Sequence, residues 1–167
     1  DGSKAYLIET RLGGLLRESG CGGWSELLYK VKSDSRDGLR GKVIDAITTN
    51  ETSFFRDTSP FELLRHKLVP DLIDRCNRAG LRPVPMRILF AACSTGQEVY
   101  STAIVLRELL GDFHGYDIRM LGVDISDAAV AKASHAHYTA MELDRGLSAE
   151  KLSRHFAKEG DRWKVRD

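Results

Sequence analysis

The sequence of 167 residues is short of several features that would assign a class directly. Its three cysteines form no C-x-x-C pair, so we expect reduced thiols rather than a disulfide framework or a zinc site. No run of 18 apolar residues occurs, so a membrane-spanning helix is not expected. A net charge of +1 provides no bulk attraction to nucleic acid or to a membrane. The five histidines show no metal-binding pattern and are expected at the surface.

The composition that remains is that of an ordinary folded protein. Hydrophobic residues make up 42% and charged residues 29% of the chain. This length fits one large domain or two small ones. The N-terminus lacks the basic-then-apolar pattern of a secretory signal, so we expect a cytoplasmic protein. We also expect a monomer.

Residues 1–48 predict a small helical domain. Apolar residues recur at helical spacing in three stretches, which are separated by a glycine-rich break at 20–23 and by a charged segment. This charged segment has a basic bias, although such a bias is more often a solvated face than a binding surface. Its basic residues are Lys30, Lys32, Arg36, Arg40 and Lys42.

Residues 49–85 predict a linker that contains one capped helix. Ser59 can cap the helix, Pro60 suits its first position, and Glu62 completes a capping box. Pro70 should kink or split this helix because proline supplies no N–H to the preceding turn. Residues 82–85, with two prolines, predict a stiff extended connector.

Residues 86–167 predict an α/β domain that begins with a parallel sheet. A short apolar run at 88–92 favours a strand buried on both faces. A helix follows Gly96 and ends at Gly111, and a second buried strand covers 118–123. Strand, helix and strand in this order are typical of a βαβ unit. Shorter helices after Ser126 and Ser148 and a strand at 163–165 complete the expected elements.

The turn after the first strand and the residue after the second strand carry the clearest functional signal. Small residues such as Ala92 let a ligand approach the backbone, and the helix that follows offers free N–H groups. Asp124 can accept hydrogen bonds from both hydroxyls of a ribose. Neither a P-loop nor a three-glycine fingerprint is present, and Glu98 would repel phosphate. The pattern therefore favours a nucleoside without phosphates, such as S-adenosylmethionine (SAM), over a tight packing turn with a capping aspartate.

Residues 48–57 (TTNETSFFRD) form a polar, then aromatic, then charged segment before the capped helix. Arg56 can pair with a carboxylate. From the residues alone, a purely structural loop is an equally good interpretation.

This segment, residues 87–101 (RILFAACSTGQEVYS) and residues 123–126 (VDIS) together resemble the CheR-type chemotaxis receptor methyltransferases. Residues 6–12 (YLIETRL) are similar to the family's N-terminal helical domain. The resemblance covers essentially the whole chain. It implies a small all-α domain followed by a Rossmann-like SAM-dependent methyltransferase domain, and a protein that methylates glutamate side chains of chemoreceptors with S-adenosylhomocysteine as the second product.

The resemblance also implies roles for single residues. Asn50, Thr52 and Arg56 would reach over the cofactor, and Arg56 would orient a carboxylate. Glu98 would contact the amino-acid end or the sulfonium of SAM, and Asp124 its ribose. Ala92 stands where the family often has glycine. The basic residues of the helical domain would meet the cytoplasmic helices of the receptor.

The resemblance further implies a longer protein, because the family's sheet has more strands than the two predicted here. We therefore expect this chain to be a fragment whose independent activity is open. Two other functions stay open: a non-catalytic module that binds SAM or a nucleotide for regulation or docking, and a nucleotide-dependent dehydrogenase, against which the missing glycine fingerprint argues.

Overall fold

A computed structural model describes residues 5–34 and 38–166. The chain divides into two compact units. The first contains the residues up to Asn50 together with Ile125–Ala128, and the second contains Glu51–Asp124 and the residues from Ala129 onward. The finer division of the chain at residues 48 and 85 stays a prediction.

Within its described residues, the first unit contains three helices, as the apolar pattern predicts: α1 (Ala5–Glu18), α2 (Trp24–Ser33) and α3 (Gly38–Ile47). Gly20 has a φ of +63°, so the chain leaves α1 through a left-handed residue. Asp34 Oδ2 accepts a hydrogen bond of 2.6 Å from the N–H of Leu39, which satisfies a donor in the first turn of α3. Arg36, one of the predicted receptor-binding residues, lies outside the described residues.

The second unit opens with a helix whose cap differs from the predicted one. Helix α4 (Thr58–Leu63) begins one residue before Ser59, and Asp57 is its cap, because the Asp57 carboxylate accepts a 3.0 Å hydrogen bond from the Ser59 N–H. The predicted capping box at Ser59 is therefore wrong. A π-helical turn (Leu64–Leu68) connects α4 to α5 (Val69–Arg78). The wider turn ends at Leu68, two residues before Pro70, where the sequence predicts a break in the helix.

A parallel βαβ unit follows, as predicted, with bounds β1 (Val84–Ala91), α6 (Gln97–Leu110) and β2 (Tyr116–Val123). The two strands pair from Val84↔Tyr116 to Ala91↔Val123. Strand β1 thus begins within the predicted connector at 82–85. The prolines there enforce an extended backbone, and this conformation is compatible with pairing at the start of a strand.

Among the described residues, helices cover one face of this parallel pair. Met86 of β1 packs with Val69 of α5 and Leu106 of α6. Leu89 and Leu121, which alternate onto the other face, are 65% and 61% exposed. The expectation of strands buried on both faces is therefore wrong for the described residues.

The rest of the second unit contains elements that the sequence only partly predicts. They are α7 (Asp127–His135), β3 (His137–Thr139), α8 (Ala140–Asp144), α9 (Ala149–His155), β4 (Phe156–Glu159) and β5 (Arg162–Val165). The three strands form an antiparallel sheet in the order β3-β5-β4. Strands β3 and β4 are not among the expected elements, and β4 begins at Phe156, directly after the last residue of α9.

A core cluster connects this antiparallel sheet to α6. Phe54, Tyr138 and Phe156 pack together with Ile104 of α6 and with Leu143, and each of the five is at most 3% exposed. The Phe54 ring meets Tyr138 and Phe156 edge to face, with centroids 5.0 Å and 5.5 Å away. Phe54 therefore anchors residues 51–57, the later part of the predicted loop segment, to the core.

The structure bears on three further expectations, which concern a membrane-spanning helix, the histidines and the cysteines. No helix among residues 5–34 and 38–166 has the length and apolar character needed to cross a bilayer. His155, expected at the surface, has a side chain only 11% exposed, 3.6 Å from Glu108. Burial lowers the pKa of His155, although the nearby Glu108 carboxylate opposes that shift. Cys21, Cys76 and Cys93 are free thiols, as predicted.

Candidate functional site

A cavity of about 550 Å³ opens in the second unit beside the carboxyl end of β1. Two segments supply its polar lining: residues 51–57, here named the arginine loop, and residues 92–96, named the strand-end loop. The start of α6 contributes Glu98, and one side is apolar, formed by Phe61, Leu64, Leu68 and Ile88. A volume of this size, with mixed polar and apolar walls, is typical of a small-molecule site.

The strand-end loop turns sharply because three of its residues adopt left-handed backbone angles. Ala92 and Ser94 have φ values of +63° and +50°, and Gly96 has a φ of +93°. A left-handed non-glycine residue costs about 1–2 kcal/mol, and such residues concentrate at functional sites. A Cβ on Gly96 would lie 3.0 Å from Ala133 Cβ and from the Tyr138 hydroxyl, so a side chain there would be both crowded and strained. This tight turn places Ala92 and Ser94 on the cavity lining.

Asp124 fixes the position of the strand-end loop. It follows β2 directly, and its Oδ2 accepts a 2.7 Å hydrogen bond from the Ser94 N–H. The Cys93 N–H donates to the Val123 carbonyl at 2.9 Å, which extends the pairing of the two strands. The two features that the sequence singled out, the turn and Asp124, are therefore in direct contact.

Cys93 lies in the same turn but is not a nucleophile there. Its side chain is 5% exposed. Burial, and next the charge of Asp124, raise the pKa of the Cys93 thiol. A neutral, buried thiol is a packing group in this loop.

Ser94 is a site residue that the sequence did not single out. Its Oγ is buried, and the described residues offer it no hydrogen-bond partner. A buried polar atom without a partner costs about 1–3 kcal/mol, unless a bound molecule or water satisfies it. Ser94 belongs to the cavity lining, so a molecule bound there could supply the partner that its buried hydroxyl lacks among the described residues. The orphaned hydroxyl therefore fits a polar molecule such as SAM.

The arginine loop brings Thr52 and Arg56 to the cavity, as the resemblance implies. Arg56 Nη1 donates a 2.9 Å hydrogen bond to the Glu51 carbonyl, which closes the loop on itself. Both loop ends contribute side chains to the lining, while Phe54 points into the core. This loop presents a cation and a hydroxyl on a firmly anchored backbone.

Glu98 lies in the first turn of α6, is exposed and lines the cavity. Its neighbour Gln97 is 2% exposed, and its Oε1 accepts a 2.7 Å hydrogen bond from Thr95 Oγ1. Of the two residues, Glu98 is thus the one that a ligand can reach. Asn50 is exposed and belongs to the first unit, so its role stays a prediction.

The cavity lining thus includes Thr52, Arg56, Ala92 and Glu98, with Asp124 bonded to its rim. Residues 50–167 match the sequence profile described as CheR methyltransferase, SAM binding domain. This chain belongs to the CheR methyltransferase family. The match includes every residue of the cavity lining.

Individual CheR relatives align with almost the whole chain. It is 37% identical to the chemotaxis protein methyltransferase Cher2 of Pseudomonas putida and 38% identical to the chemotaxis protein methyltransferase 1 of Pseudomonas aeruginosa, each over 98% of this chain and 59% of the relative. The chemotaxis protein methyltransferase of Vibrio parahaemolyticus is 37% identical over 99% of this chain and 58% of the relative. The chain therefore spans about three fifths of the length of these relatives.

Proposed function

We propose that this chain forms the SAM-binding part of a cytoplasmic methyltransferase that esterifies glutamate side chains of chemoreceptors. The observation that carries the proposal is the cavity at the carboxyl end of β1, where both sequence motifs converge. Ligands of open α/β sheets bind at this end of the strands. Membership of the CheR family supports SAM as the ligand.

Each cavity residue has a role that its chemistry suits. Asp124 would accept hydrogen bonds from the ribose hydroxyls, and Glu98 would face the positive amino or sulfonium group. Thr52 and the Ser94 hydroxyl would satisfy polar atoms of the cofactor, and Ala92 would let its body lie close to the backbone. Asn50, in the first unit, is proposed to complete these contacts.

The methyl acceptor requires little chemical activation by the protein. SAM, when bound, supplies a methyl group made electrophilic by its positive sulfur. A glutamate carboxylate is ionised at neutral pH and needs no general base. Arg56 would orient a carboxylate without binding it tightly. A tight ion pair with Arg56 would make a substrate carboxylate a weaker nucleophile. Catalysis would then come from positioning and from the exclusion of water.

A methylation assay tests this function and separates it from a non-catalytic module. The whole protein is incubated with methyl-labelled SAM and the cytoplasmic fragment of a chemoreceptor. We expect label on receptor glutamates that alkali releases as methanol, and no label where these glutamates are replaced by glutamine. Saturable SAM binding without transfer to any receptor fragment would instead support a regulatory or docking module.

We further propose that the basic residues of α2 and α3 meet acidic receptor helices. Lys32, Arg40 and Lys42 are exposed, whereas Lys30 forms a 3.1 Å ion pair with Glu26. Arg36 completes the proposed set. The proposed binding of receptor helices by these residues is inferred from their positive charge in the sequence.

Charge reversal provides that test. In the whole protein, Lys32→Glu with Lys42→Glu should slow receptor methylation roughly tenfold at low salt and less at high salt, because screening weakens charge attraction. The affinity for S-adenosylhomocysteine should not change. The control is Arg78→Glu, which reverses an exposed charge on α5. Equal loss of methylation in both variants would reject the surface.

A further inference from the structure

The cavity is formed by two loops that are far apart in sequence, and ligand binding requires them to keep a fixed separation. The arginine loop (residues 51–57) carries Thr52 and Arg56, and the strand-end loop (residues 92–96) carries Ala92 and Ser94. Both contain strained backbone: Phe55 has a φ of +49°, and Ala92 and Ser94 are also left-handed. Such conformations persist only where neighbouring groups enforce them.

Ser101 is one such group. It lies one turn into α6, is 0% exposed, and its Oγ donates a 2.7 Å hydrogen bond to the Gln97 carbonyl. The same oxygen accepts a 3.1 Å hydrogen bond from the N–H of Phe55, the residue directly before Arg56. One hydroxyl thus connects the backbone of the arginine loop to the first turn of α6, which begins where the strand-end loop ends.

Tyr138 is the second group that enforces the conformation of these loops. It is 0% exposed in strand β3, and its hydroxyl donates a 2.8 Å hydrogen bond to the Thr95 carbonyl of the strand-end loop. Its ring packs edge to face on Phe54 of the arginine loop at 5.0 Å. Burial raises the pKa of Tyr138, so the hydroxyl stays protonated and remains a donor. A single side chain therefore contacts both loops.

We propose that Ser101 and Tyr138 are positioning residues that set the separation of the two loops and thereby the affinity of the cavity for SAM. Neither belongs to the residues that line the cavity, so they act through Phe55 and Thr95 rather than by touching the ligand. The inference rests on the proposed SAM site. It extends that site to the antiparallel sheet, because Tyr138 pairs with Trp163 of β5.

Hydroxyl deletions in the whole protein test the proposal. We expect Tyr138→Phe and Ser101→Ala each to raise the dissociation constant of S-adenosylhomocysteine at least fivefold in calorimetric titration, at a temperature where circular dichroism shows every variant folded. The matched control is Tyr100→Phe, since the Tyr100 hydroxyl also donates to a backbone carbonyl, that of Ala133, at 2.7 Å. Neither Tyr100 nor Ala133 lines the cavity, so the dissociation constant measured for Tyr100→Phe should stay within twofold of the wild-type value.

A second variant separates positioning from general stability. If Ser101 acts through the arginine loop, Ser101→Ala should weaken binding less in an Arg56→Ala background than in the wild type. Thermal unfolding measured in parallel should show similar losses for Tyr138→Phe and Tyr100→Phe, although only the former weakens binding.

The outcomes distinguish the inference from the function on which it rests. One outcome is that the wild type binds S-adenosylhomocysteine with the same affinity as Tyr138→Phe, Ser101→Ala and Tyr100→Phe. That result would overturn the positioning role and leave the SAM site intact. Purely additive effects of Ser101→Ala and Arg56→Ala would overturn the route through the arginine loop. No binding by the folded wild-type protein would overturn the SAM site itself and the inference with it.

Discussion

Gly146 shows how a single residue far from the cavity in sequence controls the arginine loop. It has a φ of +110°, and a Cβ there would lie 1.9 Å from the Phe54 carbonyl oxygen. Backbone atoms cannot yield as a flexible side chain does, so a side chain at Gly146 would force either its own segment or the Phe54 backbone to shift.

Gly146→Ala should therefore lower the free energy of unfolding by about 3 kcal/mol or more. Gly160→Ala is the matched control, because Gly160 also has a positive φ, of +63°, but open space around its Cβ position. That control should cost only about 1–2 kcal/mol, the cost of left-handed backbone. Urea denaturation of both variants measures the difference, and equal losses would show that the contact with Phe54 is not tight.

The orphaned hydroxyl of Ser94 leads to a prediction of the opposite kind. Ser94→Ala removes a buried polar atom without a described partner, so stability should not fall. The dissociation constant of S-adenosylhomocysteine should rise about 2–10-fold, the value of one hydrogen bond.

Calorimetric titration and thermal unfolding test these two effects together. Ser153→Ala, an exposed serine on α9, provides the control. A Ser94 variant that unfolds at lower temperature but binds normally would show that this hydroxyl serves the fold and not the ligand.

Three helical elements meet at Glu108, a side chain of α6 that is 14% exposed. Its carboxylate forms ion pairs with Arg65 of the π-helical turn, at 2.6 Å, and with Lys151 of α9. Burial alone would raise the pKa of Glu108, but hydrogen bonds from Lys151 and Arg65 lower it below the ordinary value of 4.5. The ion pairs thus connect α4–α5 and α9 to the helix that begins at the cavity.

Glu108→Gln should destabilise the protein by about 1–3 kcal/mol at pH 7. The folded-state pKa is lowered, so the contribution of Glu108 is complete above pH 4.5 and is lost as the pH falls through the folded-state pKa. The difference between wild type and variant should therefore shrink in acid.

Thermal unfolding across this pH range measures that difference. The control is Glu150→Gln, an exposed carboxylate on α9. A difference between wild type and Glu108→Gln that stays constant into acid would contradict the lowered pKa.

In the molecule as a whole, the sequence predicts the elements that have strong local signals. The helix bounded by Gly96 and Gly111 is in its expected place, and both parallel strands overlap their expected positions, because glycine at left-handed positions and apolar runs are local features. Strands β3 and β4 are three and four residues long and carry too little pattern to be recognised. The burial of His155 and the one-sided burial of the parallel strand pair depend on packing between distant segments. A local sequence pattern does not indicate such packing.

The same distinction applies to the cavity. Arg56, Glu98 and Asp124 lie in motifs whose chemistry can be recognised from the sequence. The burial of Ser94 Oγ, and the contacts of Ser101 and Tyr138 with both loops, arise only when 51–57, 92–96 and β3 come together. Serine and tyrosine are common residue types, so the sequence gives no signal for Tyr138. Ser94 and Ser101 are marked only by their place in the motif at 87–101.

The most direct test of the proposed site is calorimetric titration of the whole protein with S-adenosylhomocysteine, with Asp124→Ala and Asp161→Ala as paired variants. Asp161 is exposed in the turn between β4 and β5 and provides the control. We predict saturable binding to one site, an affinity at least about tenfold lower for Asp124→Ala because a charge-assisted hydrogen bond is lost, and no change for Asp161→Ala. No binding by the folded wild type, or equal affinity in Asp124→Ala, would contradict the assignment of this cavity to SAM.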